Sequence, residues 1–153
     1  DHLMGIKGKE SVDSIHKKLG HIMWEYVGMG RTEEGLKTAL KLLKEIRQEF
    51  ETNLFIPGST EGVNIELEKA LRLNDFITMG ELIAYDALNR NESCGGHFRE
   101  EYQTEEGEAK RDDENYFYVS CWEYQGSDDV APVLYKEPLV YEAIKVQTRN
   151  YKS

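Results

Sequence analysis

Three successive stretches of this chain place apolar residues at alternating three- and four-residue intervals, the seam of a helix that packs along its whole length. In "SVDSIHKKLGHIMWEYVGMG" the seam is Val12, Ile15, Leu19, Ile22 and Tyr26, with Ser11 as the N-cap and Gly28 and Gly30 as the stop. Thr32 caps a second helix, and Glu33 and Glu34 sit in its first turn, where the helix dipole favours them. Its seam is Leu36, Ala39, Leu43, Ile46 and Phe50, and "IPGSTEG" ends it. The pattern predicts a third helix from about Val63 to about Asn91, with Leu73, Phe76, Gly80, Ile83 and Ala87 as its seam. Leu71, Ile77, Met79, Leu82 and Leu88 add a second apolar face, so this helix is expected to be the most buried of the three and ~40 Å long. Gly95, in the left-handed conformation, is expected to close it, with Gly96 following. Short connections make neighbouring helices antiparallel. The fold class is therefore mainly α: an antiparallel three-helix, spectrin-repeat-like bundle over 1–96, followed by a small β hairpin and an extended C-terminal arm.

The remainder, 97–153, differs in kind. "REEYQTEEGEAKRDDEN" is charged and reads as an exposed loop, while the aromatic and β-branched "YFYVSCWEY" reads as a strand. A second strand is expected around Val133 to Tyr135 and a third around Tyr141 to Val146. "QGSDD" supplies the turn of a hairpin, and Pro132 and Pro138 confine this region to edges. So small a sheet needs another surface to cover it. The charged loop and β arm are expected to pack on the bundle as one structural domain.

A net charge of −10 argues against non-specific nucleic-acid binding, because a phosphate backbone would be repelled. No apolar run approaches the ~18 residues that suggest a membrane span, and "DHLMGIKGKES" lacks the apolar core of a signal peptide. The chain also lacks a natural-looking start and is read as a fragment of something longer. Cys94 and Cys121 form no CxxC pair and are expected to be free thiols in a reduced, intracellular compartment.

The densest chemistry lies in "ESCGGHFREE", but Cys94 and His97, separated by two glycines, fix no nucleophile–base geometry and bring no oxyanion donors. His2, His16, His21 and His97 lie on different segments or different helix faces, without the paired spacing of a zinc motif. The carboxylates Glu105, Glu106, Glu108, Asp112 and Asp113 lack the alternation and central glycine of a calcium loop. "GMGRTEEG" offers glycines before a helix but neither a GKS/T sequence nor a preceding strand, so a helix cap explains it. Trp24, Tyr26, Trp122 and Tyr124 are read as core or interface packing. No catalytic, cofactor-binding or metal-binding residue follows from the residue chemistry.

Two boxes nevertheless resemble a known family. Glu92, Ser93, Gly95, His97, Arg99 and Glu100 match a Glu-Ser-x-Gly-x-His-x-Arg-(Asp/Glu) segment, and Arg111 to Asn115 match an Arg-Asp-Asp-Glu-Asn box before an aromatic strand. Upstream, Met23, Trp24, Gly28 and Arg31 match a Met-Trp-x-x-x-Gly-x-x-Arg segment. Together they resemble the C-terminal domain of the flavoprotein subunit of succinate dehydrogenase and fumarate reductase. Cys94-Gly95-Gly96 stands where many members carry Arg-Gly-Ala; this form, with the inserted "QTEEGEAK", is similar to the branch whose membrane partner is a single diheme cytochrome b. The resemblance implies a parent oxidoreductase that interconverts succinate and fumarate through covalently attached FAD bound upstream of this chain. Electrons would pass to an iron-sulfur subunit and then to membrane quinone, on the cytoplasmic side of the inner membrane. It implies that this chain carries no flavin itself, buttresses the upstream FAD domain and contacts the iron-sulfur subunit, with His97, Arg99, Arg111, Asp112 and Trp122 as candidate interface residues. L-aspartate oxidase and adenylylsulfate reductase share such a helical domain, and a free-standing spectrin-like adaptor is the alternative of a different class.

Overall fold

The computed structural model describes residues 2–127 and 130–147. Three helices dominate it: α2 (Val12–Val27), α3 (Glu33–Asn53) and α4 (Ile65–Asn89), with a single turn, α1 (His2–Gly5), ahead of them. Their starts follow side-chain capping, which satisfies amides that a helix leaves without an internal partner. Ser11 Oγ accepts from the Ser14 amide, Thr32 Oγ1 from Gly35 and Asn64 Oδ1 from Leu67. The first two caps were legible as such; Asn64 was not singled out.

The core is one contiguous cluster between the three helices. Leu36, Ala39, Leu43, Ile46 and Phe50, the whole predicted seam of α3, are buried. In α2, Val27 takes the last buried position in place of Tyr26. The expectation for α4 needs the larger correction. Its buried line is Ala70, Leu73, Ile77, Gly80, Ala84 and Ala87, while Leu71, Phe76, Met79 and Ile83 are exposed. α4 is therefore not the most buried helix; it meets its neighbours through small residues and leaves a long apolar face uncovered. Gly80 leaves room for its neighbours, since an added Cβ would lie 3.1 Å from Met23 Sδ and 3.6 Å from Leu19 Cδ1. Trp24, read as core or interface packing, is not in the core but exposed on α2.

The chain segment before α2 is tied to the end of α3. The amides of Gly8, Lys9 and Glu10 donate to the carbonyls of Leu54 and Asn53, and the Phe55 amide donates to the Glu10 carbonyl. Gly8 is required there by proximity, since a Cβ would fall 1.9 Å from the Asn53 carbonyl carbon.

Past α4 the structure departs from expectation at three places. The helix ends at Asn89, and Gly95 does not cap it. With φ of +60°, Gly95 instead opens a two-residue turn that pairs Cys94 with His97, the glycine-first arrangement of a type II′ hairpin. The turn delivers β2 (Phe98–Arg99) to β1 (Gly30–Arg31) as a short parallel pair that the sequence did not suggest. Second, the charged stretch is not an open loop. Gln103 bridges Ala109 around a turn at Gly107, and α5 (Asp113–Tyr116) follows. Third, the sheet stops at two strands: the expected hairpin forms from β3 (Tyr118–Glu123) and β4 (Val133–Pro138), antiparallel with Trp122 opposite Leu134, but no third strand joins it among the described residues. The segment from Tyr141 to Val146 is not a strand; beyond Pro138 the Leu139 amide donates to the Phe117 carbonyl, and the chain runs on as an exposed arm. The turn residues Asp128 and Asp129 lie outside the described residues.

Candidate functional site

The two boxes singled out in the sequence meet at the C-terminal end of α4. That end exposes carbonyls without helical partners, and Arg99 supplies donors for them. Its guanidinium, 1% exposed, donates to the Ala87 carbonyl at 3.1 Å, to the Leu88 carbonyl at 3.3 Å and to Glu101 Oε2 at 3.1 Å, and lies over the Tyr102 ring. Ser93 fixes the backbone that carries it: its hydroxyl accepts from the Arg99 amide at 2.8 Å and donates to the Arg99 carbonyl at 3.1 Å. Both residues are buried, so these bonds do not compete with water.

Glu92, also buried, ties the end of α4 to the Arg-Asp-Asp-Glu-Asn box. One carboxylate oxygen accepts from Arg90 at 3.0 Å and the other from the Asp112 amide at 3.0 Å. Asp112 then caps α5 by accepting from the Asn115 amide, and Arg111 forms an ion pair with Asp113 at 2.5 Å. Arg90 carries the connection into the hairpin, donating to the carbonyls of Tyr116 and Tyr118 and to Ser120 Oγ, with its guanidinium 5.0 Å from the Tyr118 ring centre.

His97 links the upstream box to this network. Its Nδ1 lies 2.8 Å from an Arg31 guanidinium nitrogen and its Nε2 2.9 Å from the Arg90 carbonyl. A guanidinium only donates and a carbonyl only accepts, so the ring is neutral with its proton on Nε2. Burial, together with the Arg31, Arg99 and Arg90 charges, holds the imidazole below its ordinary pKa, outweighing the Arg90 carbonyl, which favours the protonated ring. Arg31 also donates to the Gly28 carbonyl at 2.7 Å.

The hairpin packs on α4 through one face. Tyr118, Ser120 and Trp122 alternate inward along β3. The Trp122 indole donates to Asp86 Oδ1 at 2.8 Å and meets Tyr85 edge-on, ring centres 5.0 Å apart. A groove of about 530 Å³ lies between α4, the Gly95 turn and β3, lined by Arg31, Asp86, Arg90, Cys94, His97 and Trp122 among others. Of the five candidate interface residues, Arg99 is internal, His97 and Trp122 face this groove from within, and Arg111 and Asp112 are half-buried around α5. Sequence reasoning missed Arg90 and Arg31 as joints; the available signal was an arginine immediately after the last helical turn and another in the glycine stretch between helices.

The arrangement braces backbone, and Cys94 and Cys121 are free thiols, as expected. Among the described residues no buried side-chain nitrogen or oxygen lacks a partner, and no group of three or more His, Cys, Asp and Glu is placed to hold a metal ion. A dinucleotide does not fit the glycine-flanked start of α3. There the first-turn amide of Glu33 already binds Glu101 Oε1 at 2.6 Å, Thr32 fills the cap, and Arg31 is turned toward Gly28 and His97. Burial raises the Glu101 carboxyl, but the Glu33 and Glu101 amides and Arg99 outweigh it and hold the group below its ordinary value, so it is a fixed anion where a pyrophosphate would have to sit. Among the described residues no helix is long and apolar enough to cross a membrane.

Comparison with known proteins agrees with these motifs. The chain is 31% identical over 137 residues to the fumarate reductase flavoprotein subunit of Helicobacter pylori, covering 90% of this chain and 18% of that subunit. It is 37% identical over 88 residues to a chloroplastic L-aspartate oxidase of Nicotiana tabacum, covering 58% of this chain and 13% of that protein. A solved quinol-fumarate reductase with menaquinol molecules superposes with a TM-score of 0.76 at 25% identity, covering 94% of this chain and 24% of the matched one. The chain thus spans under a fifth of these two relatives' length. A family model for the C-terminal region of the fumarate reductase flavoprotein matches residues 16–151, and the chain belongs to that family.

Proposed function

We propose that this chain is the C-terminal helical domain of an FAD-dependent flavoprotein subunit that interconverts succinate and fumarate, and that its own role is structural. The observation that carries the reading is the convergence of the family's boxes on buried and half-buried hydrogen-bonded contacts at one end of α4. Arg31, Glu92, Ser93, His97, Arg99 and Asp112 each hold backbone or a charge in place. The similarity to the H. pylori subunit extends over 90% of the chain, against 58% for the L-aspartate oxidase, which favours the succinate and fumarate enzymes. Covalent FAD and the dicarboxylate belong, in this reading, to the part of the polypeptide upstream of this chain.

The domain is read as one unit, a bundle over 1–96 with the loop and β arm of 97–153 packed on it. The exposed face of α4, with Phe76, Met79 and Ile83, is the surface that the upstream FAD domain covers. The α5 and hairpin side, with Arg111 and Asp112 at its rim and His97, Arg99 and Trp122 supporting it from behind, faces the iron-sulfur subunit. Through that subunit the chain reaches a cytochrome b anchor on the cytoplasmic side of the inner membrane.

Calorimetric titration of the purified chain with FAD and with succinate tests the reading. Neither is expected to bind, whereas a longer subunit that includes this chain is expected to retain flavin. A yellow chain that bleaches on adding succinate would overturn it.

A further inference from the structure

His97 is held by two partners from different parts of the chain, and only one protonation state satisfies both. Nδ1 must accept from Arg31, on β1, and Nε2–H must donate to the Arg90 carbonyl, just past α4. The ring therefore joins the connection between α2 and α3 to the Cys94–His97 turn. The turn's other ties are the paired Cys94 and His97 backbone groups and the Phe98 amide, which donates to the Met29 carbonyl at 3.2 Å. We infer that the Arg31–His97–Arg90 chain is an acid-opened latch, in which protonation of His97 releases the Cys94–Phe98 turn from β1 while the helical core stays folded.

When Nδ1 takes a proton from solvent, it becomes a donor that faces the donor of Arg31. The new cation then confronts Arg31 from β1, Arg90 from the end of α4 and Arg99 from β2, all of which act to disfavour its charge. The carboxylate lining the same groove is Asp86, whose Oδ1 accepts from Trp122. From β3 the groove receives Val119, Ser120 and Trp122, none of them charged, and Cys94 borders it from the turn. Arg99 anchors the chain just beyond the turn through its bonds to Ala87 and Leu88, so opening stops there. The sign follows from linkage: a base whose folded pKa is depressed binds more protons in the open state. Closure is therefore complete above the unfolded value of about 6.5 and weakens as pH falls below it, until the folded pKa is passed. Within that window the opening constant rises by up to about tenfold per pH unit.

Native-state hydrogen exchange of the chain from about pH 7.5 to about pH 5 reads this directly, after correction for intrinsic exchange chemistry. The amide of Phe98, which bonds across to the Met29 carbonyl, is expected to lose protection by up to about tenfold per pH unit below 6.5, while those of Leu43 and Ile46 in α3 hold theirs. In H97Q, which cannot titrate, the pH dependence of the Phe98 amide is expected to vanish. Flat protection in the unsubstituted chain, or the same slope in H97Q, would overturn the latch. Should H97Q fail to fold, the imidazole resonances of the unsubstituted chain decide instead. They should show the Nε2–H tautomer at neutral pH and a midpoint below about 6.5; an ordinary or raised midpoint overturns the proposal.

Discussion

A fully buried guanidinium is costly unless its N–H groups find acceptors and its charge a counterion. Arg99 meets both conditions by donating to two carbonyls in the last turn of α4, with Glu101 and the Tyr102 face around it. Removing the side chain strands those carbonyls and leaves a void at the helix end. Arg99→Ala is accordingly expected to cost about 3 kcal/mol in urea-induced unfolding, the range for a lost charged hydrogen-bond set plus packing. Arg99→Lys should recover little of it, since a single ammonium on a flexible stem cannot reproduce the planar fork. Ser93→Ala tests the backbone half of the same device. It leaves the buried Arg99 amide without its acceptor and should cost about 1–3 kcal/mol by the same measurement. Neither role was legible in the sequence, where Ser93 and Arg99 stood out only as residues of the family's box and Arg99 as a candidate interface residue. A buried arginine is recognised by its tertiary partners, and those lie 11 and 12 residues back in a helix.

At the level of elements, the sequence spoke clearly where one face of a segment is covered by this chain alone. Every seam residue expected in α3 is buried, and the aromatic and β-branched stretch expected to be a strand forms β3. α4 misled because an apolar face looks the same in sequence whether its cover is this polypeptide or another; Phe76 and Ile83 fit a seam yet stand in solvent. The docking of the hairpin can be tested as a unit. Trp122→Phe keeps much of the contact with Tyr85 but loses the bond to Asp86, for a cost of about 1–2 kcal/mol. Trp122→Ala should also detach β3 from α4, seen as faster amide exchange from Val119 to Glu123 with α3 unchanged. Loss of protection throughout the bundle would mean that the hairpin is integral to the core. Gly8→Ala probes the other tie between elements. Its methyl meets backbone rather than a movable side chain, so the segment ahead of α2 must lift from Asn53 and Leu54, exposing the amides of Gly8 to Glu10 to exchange.

The whole molecule is asymmetric in a way that its own stability does not require. One side of α4 packs through Ala70, Gly80, Ala84 and Ala87 on α2 and α3, while Phe76, Met79 and Ile83, spaced three and four apart, form an apolar strip beside His16 of α2, whose ring lies 5.5 Å from that of Phe76. An exposed strip of this kind marks an interaction surface, and the relatives, more than five times longer than the stretch they share with this chain, contain ample polypeptide to cover it. If the strip served only the bundle, charging it would unfold the chain. If it serves the upstream domain, Met79→Glu with Ile83→Glu should leave the chain's unfolding midpoint nearly unchanged, within about 0.5 kcal/mol, because both positions are already solvated. The same pair in the longer flavoprotein should cost far more, since two carboxylates would be buried without partners. The expected outcome there is easier proteolytic separation of this domain and loss of bound flavin. Equal stability losses in the two contexts would assign the strip to the bundle itself, whereas a loss confined to the longer protein would assign it to a contact outside this chain.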